Sequence, residues 1–212
     1  MDTKKLLLNR LKSYLEEEFS HIEIEGKKLS IQKGICYTAS KVGSKILKGL
    51  GYKCDIQRVT VIVGNDIGRR IFLEQKKIGV YSQDEMIKSG GWTIGLGVPP
   101  DSHYIIYIEG EKRETGEKGK EEKGKGEILD LTFGQANRPQ YNLSAEAYWE
   151  SEDNLPDTII EMNIYNNPKL ELDPIYHYHE FRKVFRSIVR KGIKILEKEE
   201  FSKKSTGRGI NK

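Results

Sequence analysis

The sequence predicts an α+β fold in which one central helix packs on an antiparallel β-sheet, flanked by N- and C-terminal helices. Three observations carry that prediction. Helical apolar spacing is confined to residues 4–18, 35–51 and 180–199. Runs rich in β-branched and aromatic residues occupy 52–63, 102–108, 127–132 and 158–165. The two middle runs are joined by a segment, 110–126, made only of Gly, Glu, Lys, Arg and one Thr. The simplest connection of that kind is between antiparallel neighbours.

The elements follow in order. Leu6, Leu7, Leu11 and Leu15, with charges between them, give an amphipathic helix. Residues 22–31 alternate only loosely. From Ile35 the apolar positions Val42, Ile46, Leu47 and Leu50 recur at three and four, and Gly51 ends the pattern. That reads as one helix of about four turns with Cys36 in its first turn. Tyr52 to Val63 reads as a strand closed by the turn pair Gly64-Asn65. Residues 68–81 are expected to form another strand or an irregular arm. The stretches around Ser89-Gly90-Gly91-Trp92 and Gly95 to Pro100 are loop material, and His103 opens a clear strand. Segment 110–126 is expected to be a solvated, flexible insertion because nothing in it can pack. Residues 180–199 form a basic amphipathic helix, and residues 201–212 are expected to be a disordered basic tail.

Length and composition bound the function. A chain of 212 residues with 36% hydrophobic and 32% charged residues fits one globular domain, here placed at 1–200. No apolar run approaches the ~18 residues of a membrane span, and the apolar Leu6-Leu7-Leu8 run is too short for an export signal. With two cysteines, neither a disulfide framework nor a zinc ribbon is built, so both are expected as free thiols in the reducing cytoplasm. The formal net charge is +4, yet residues 181–212 alone carry eleven Lys or Arg against three Glu. The basic excess is therefore a C-terminal feature.

A cysteine nucleophile needs its thiolate form, which a helix N-terminus favours, a histidine to move the proton, and a carboxylate to orient that histidine. Cys36 opens a helix, His103 opens a strand after a Gly- and Pro-rich loop, and Asp130 lies near the end of the next strand. Buried between Leu129 and Leu131, Asp130 requires a partner, and His103 is the best placed. If the two strands pair, the residues need not be directly opposite, since His103 lies six steps from the loop and Asp130 three. Extending the second strand back to Gly124 would make them so.

Gly34-Ile35-Cys36 opening a helix, Ser102-His103-Tyr104-Ile105 opening a strand, and Ile128-Leu129-Asp130-Leu131-Thr132 followed by Gln135 and Arg138-Pro139 together resemble the transglutaminase-like cysteine hydrolases, in their bacterial and archaeal form. The resemblance covers about residues 32–140. It implies a papain-like core, a Cys36–His103–Asp130 triad, and hydrolysis or acyl transfer at an amide through a thioester. It also implies an oxyanion hole from the Cys36 backbone N–H with the Gln32 side chain. Tyr37 stands where this family more often has Trp, and segment 110–126 is an insertion.

The remaining candidates are weighed against plainer roles. Tyr37 and Trp92 are candidates to line the substrate cleft, and Gln135 and Arg138 are expected to brace the loop after Asp130. Cys54, inside a strand, is expected to be structural. His177 and His179 fit a helix start better than a metal site, so neither metal nor cofactor is expected. The expected partner is a peptide, protein or small amide substrate, with no membrane. The alternative is a non-catalytic module of the same fold whose basic C-terminal helix docks an acidic partner. Nucleic-acid binding by residues 181–212 is a weaker option, because no aromatic residue interleaves with the exposed charges.

Overall fold

A computed structural model describes residues 3–24, 27–30, 35–97, 103–110, 112–114, 121–123, 125–165 and 179–206. The architecture is mixed α+β. Helix α1 (Thr3–Ser20) leads into a short ribbon, β1 (Glu23–Ile24) with β2 (Lys27–Lys28), and then α2 (Cys36–Gly49). Strand β3 (Cys54–Gly64) is followed by α3 (Asp66–Ile78), α4 (Gln83–Lys88), β4 (Thr93–Leu96) and β5 (His103–Ile108). A charged hairpin, β6 (Lys112–Glu114) with β7 (Glu121–Lys123), precedes β8 (Glu127–Asp130), β9 (Tyr148–Ser151), β10 (Ile159–Tyr165) and α5 (His179–Thr206).

The main sheet has six strands in the order β10-β3-β5-β8-β9, with β4 also paired to β3, and each of these pairings is antiparallel. One face carries Cys54, Ile106, Ile108, Leu129 and Trp149 and packs under α1, α2 and α5. The other carries Val59, Val61, Val63, Ile105 and Ile128, and Phe133 and Leu143 from the β8–β9 connection close over it. Both faces are therefore apolar, which a one-sided alternation would not have produced. Helix α5 is fixed from inside: the Tyr14 hydroxyl donates to the Ile188 carbonyl at 2.6 Å, and a side chain at Gly192 would strike Tyr14 and Ile46.

Several expectations change. Residues 68–81 are mostly helix, because Asn65 caps α3 by accepting from the Gly68 N–H at 2.7 Å and Gly79 closes it at φ 68°. Segment 110–126, read as a solvated hairpin tip, contains a paired ribbon with Lys112 opposite Lys123 and Glu114 opposite Glu121. Backbone pairing of this kind does not require apolar side chains. The final helix continues to Thr206, so residues 201–206 are not a disordered tail.

The line of β4 and β5 positions the site. Leu96 pairs with Val61 and His103 with Val59, so seven steps on one side of the ladder answer two on the other. The chain leaves the ladder at Gly97, whose φ is 72°. A Cβ there would lie 2.2 Å from the Val59 carbonyl oxygen and 2.9 Å from the His103 Cβ. Only glycine fits at this position, against the Val59 carbonyl and the first residue of β5.

Gly97→Ala combines a left-handed backbone with a steric clash and is expected to cost about 2–5 kcal/mol. Gly79→Ala shares the positive φ (68°) but meets open space, so about 1–2 kcal/mol is expected. Urea unfolding of the two variants checks the difference.

Candidate active site

Asp130 ends β8 and has no solvent exposure. Its Oδ1 accepts hydrogen bonds from the Thr132 N–H at 2.9 Å and the Thr132 hydroxyl at 3.2 Å. Its Oδ2 lies 2.6 Å from His103 Nε2. A buried carboxylate is tolerable only with such partners. Because the ladder stops at Asp130, the next N–H groups are free to turn inward.

The register explains how the pair meets. Ile106 faces Leu129 and Tyr107 faces Ile128, so Asp130 falls across from Ile105, two residues from His103 on the same face. The contact is a diagonal across two strands, and no extension of β8 to Gly124 is needed.

Cys36 is the first residue of α2, and the Ile35 side chain contributes no cap to that turn. Its side chain packs with Tyr37, Tyr104 and Ile56, and its thiol lies close enough to His103 to help raise the imidazole pKa. Asp130 occupies Nε2, which leaves Nδ1 as the ring nitrogen not engaged by the carboxylate. Burial pushes the His103 pKa down, but the charge and hydrogen bond of Asp130, reinforced by Cys36, outweigh it and leave the pKa raised. Imidazole and carboxylate thus form a buried pair, with the Cys36 thiol beside it.

The other candidates divide. Gln32 lies outside the described residues. Tyr37 is core, its ring edge-on to Tyr104 with centroids 5.1 Å apart. Trp92 is not brought to Cys36. It precedes β4 at the Gly64 end of β3, roughly 17 Å along the strand from Val59, the partner of His103. There it stacks on Tyr141 with centroids 3.9 Å apart. Arg138 does brace the loop, its Nη1 donating to the carbonyls of Gln135 at 2.8 Å and Asn137 at 2.7 Å. Gln135 takes part through its backbone, its N–H donating to the Thr132 carbonyl at 2.9 Å.

Two residues near the site were not anticipated. Thr132 supplies both donors to Asp130 Oδ1, and its Asp-x-Thr spacing is the signal that could have marked this role. Tyr148 faces Asp130 in register, with its hydroxyl buried and unpartnered. Burial first, then the charge of Asp130, holds its pKa far above the ordinary value. Nothing in the sequence indicated that pairing.

Cys54 differs from Cys36. Its thiol donates to the Ser44 carbonyl at 3.5 Å, and burial pushes its pKa up to about 11. Among the described residues no cluster of His, Cys, Asp and Glu is placed to hold a metal ion, and no helix is long and apolar enough to cross a membrane.

Comparison with known proteins returns no match to a family model, a curated protein or a solved structure.

Asp130→Ala leaves a buried imidazolium without its counter-charge and is expected to destabilise the protein by about 3–5 kcal/mol. A raised histidine pKa gives stability that is fully present below the ordinary imidazole value, ~6.5, and lost as pH rises through the folded-state value. The gap between wild type and Asp130→Ala is therefore expected to be widest at pH 6 and to narrow in alkaline solution. Urea unfolding across pH 6–9 measures it.

Proposed function

We propose that the chain is a cysteine hydrolase or acyltransferase that acts on an amide bond through a thioester, as a peptidase, amidase or deamidase with a papain-like core of the transglutaminase-like kind. The observation that carries this reading is the buried His103–Asp130 pair, with the Cys36 thiol beside it at a helix start and the carboxylate fully buried. His103, held protonated by Asp130, places positive charge beside the Cys36 sulfur.

The thiolate attacks the substrate carbonyl, and the C–S bond forms as the carbonyl electrons move to oxygen. The Cys36 backbone N–H, at the head of α2, stabilises that oxyanion. Collapse expels the amine, which takes its proton from His103 Nδ1 and leaves a thioester. Neutral His103 then removes a proton from water or an acceptor nucleophile, whose attack releases the acid or acyl product and restores the thiol. Asp130 keeps Nε2 engaged throughout, so the nitrogen facing sulfur carries the moving proton.

At pH 7, iodoacetamide is expected to alkylate Cys36 at least about tenfold faster than Cys54, and His103→Ala is expected to remove most of that advantage. Site-resolved mass spectrometry reads both rates, with His103→Asn as a second variant of more similar size. Equal, slow alkylation unaffected by position 103 would end the catalytic reading. On a library of acyl-aminocoumarin amides, Cys36→Ala is expected to lower turnover by at least about a thousandfold while Cys54→Ala leaves it unchanged.

A second reading, a non-catalytic docking module, rests on a cavity of about 360 Å³ between α2 and α5. Val42, Phe185 and Val189 line it together with Arg182, Arg186 and Arg190. The sequence of α2 carries three lysines and no acid, so the groove suits an acidic peptide with an apolar side chain. That reading requires a Glu- and Leu-containing peptide to bind with an affinity weakened at least about tenfold by Arg186→Glu with Arg190→Glu. Fluorescence anisotropy at two salt concentrations tests it.

A further inference from the structure

Arg58 stands on β3 beside the site. Tyr104 is its register partner on β5 and Tyr165 its partner on β10, so Tyr165, Arg58 and Tyr104 lie abreast across three strands. Tyr104 is the residue that packs against Cys36 and Tyr37. The same row therefore runs from the head of α2 to Arg58. Helix α2 extends from that row toward Cys54, where the Ser44 carbonyl meets the Cys54 thiol. Arg58 lies at the end of the sheet where the helix begins, and Tyr165 beside it is 45% exposed, so this end of the row opens to solvent.

Its electrostatic position is unusual. Arg58 Nε is sealed from solvent and has no hydrogen-bond partner. Among the described residues the guanidinium makes no ion pair, and it rests 5.8 Å from the centroid of the Tyr165 ring. That ring is held in turn by a 2.9 Å hydrogen bond between the Tyr165 and Thr60 hydroxyls. The described acids of β3 and β10 pair elsewhere: Glu161 with Lys76 at 2.5 Å and with Asn163, and Asp55 with Lys48 at 3.1 Å. A half-buried guanidinium with no acid paired to it among the described residues suits an external carboxylate, which would meet the terminal N–H groups of its planar fork because Nε is sealed.

We infer that Arg58 is a specificity residue that receives a carboxylate of the substrate, so that the preferred substrates are amides with an acidic side chain adjacent to the reacting carbonyl. The inference rests on Cys36 being the nucleophile. With strands about 4.8 Å apart, Arg58 and its guanidinium, tilted toward Tyr165, lie on the order of 10 Å from the cysteine. An extended glutamate side chain one residue from the reacting carbon spans a similar distance.

The test uses two affinity labels, N-iodoacetylglutamic acid α-amide and its glutamine counterpart, and measures alkylation of Cys36 by mass spectrometry. Each rate is divided by that of the same reagent with glutathione, which removes intrinsic reactivity. Wild type is expected to favour the acidic label by at least about tenfold. Arg58→Gln is expected to abolish the preference while leaving the rate with the neutral label within about twofold, and Arg58→Lys to restore part of it. A wild-type preference that persists in Arg58→Gln would assign it to the His103 imidazolium and overturn the inference, as would no preference in wild type. A neutral label that modifies Cys36 no faster than Cys54 would instead overturn the nucleophile itself, and the specificity role with it.

Discussion

The site depends on one buried charge, the carboxylate of Asp130. Placed in the middle of β8 it would have faced ladder N–H groups already committed to neighbouring strands. Placed as the last residue, it is followed by a turn whose Thr132 N–H and hydroxyl both point back to Oδ1. The other oxygen is left for His103. The same carboxylate thus terminates a strand, anchors the β8–β9 connection and sets the state of the imidazole. Removing its charge would disturb all three at once, which is why stability and chemistry are coupled here.

Sheet geometry decides how thiol and imidazole meet, because they come from opposite sides. Cys36 belongs to the helix-covered face, whereas His103, paired with Val59, begins a strand on the opposite register. Within a strand such side chains would be separated by the sheet. His103 is the first residue of β5, however, and α2 starts at the same end. Gly97 lets the chain turn tightly against the Val59 carbonyl and deliver His103 at that boundary. The meeting point is an edge condition of the fold, available only where a helix start and a strand start coincide.

Much of this was legible because local spacing and chain order carry it. The periodicity of Val42, Ile46 and Leu47 marks α2, and the order Cys36, His103, Asp130 suggests the contacts. The α3 error has a local cause. Gly64-Asn65 is a turn signal, but Asn65 is also a helix cap whose side chain reaches Gly68, and Gly79 is the matching stop. The apolar positions Ile67, Ile71 and Ile78, four and seven apart with Phe72 beside Ile71, already carried a helical period that the strand reading passed over. The diagonal register of His103 and Asp130 was less accessible, since hydrogen-bonding phase between two strands is not written in either one. Arg58 was invisible for a stronger reason. Its row is completed by Tyr165, more than a hundred residues away, and only strand pairing brings the two together.

The two cysteines show why burial alone does not identify a reactive thiol. Cys36 and Cys54 are 7% and 6% exposed, so solvent accessibility cannot separate them. Helix α2 contacts both. At its head, Cys36 meets the N–H end of the helix and an imidazole held by Asp130. In its third turn, Ser44 presents a carbonyl oxygen to Cys54, an acceptor that binds the protonated thiol. A hydrogen bond to the neutral form and the surrounding apolar core both disfavour ionisation of Cys54. The helix therefore sorts the thiols by where along its length each one touches, donors at the start and acceptors further on. Their chemistry differs because the local dipoles differ, although their exposure is nearly the same.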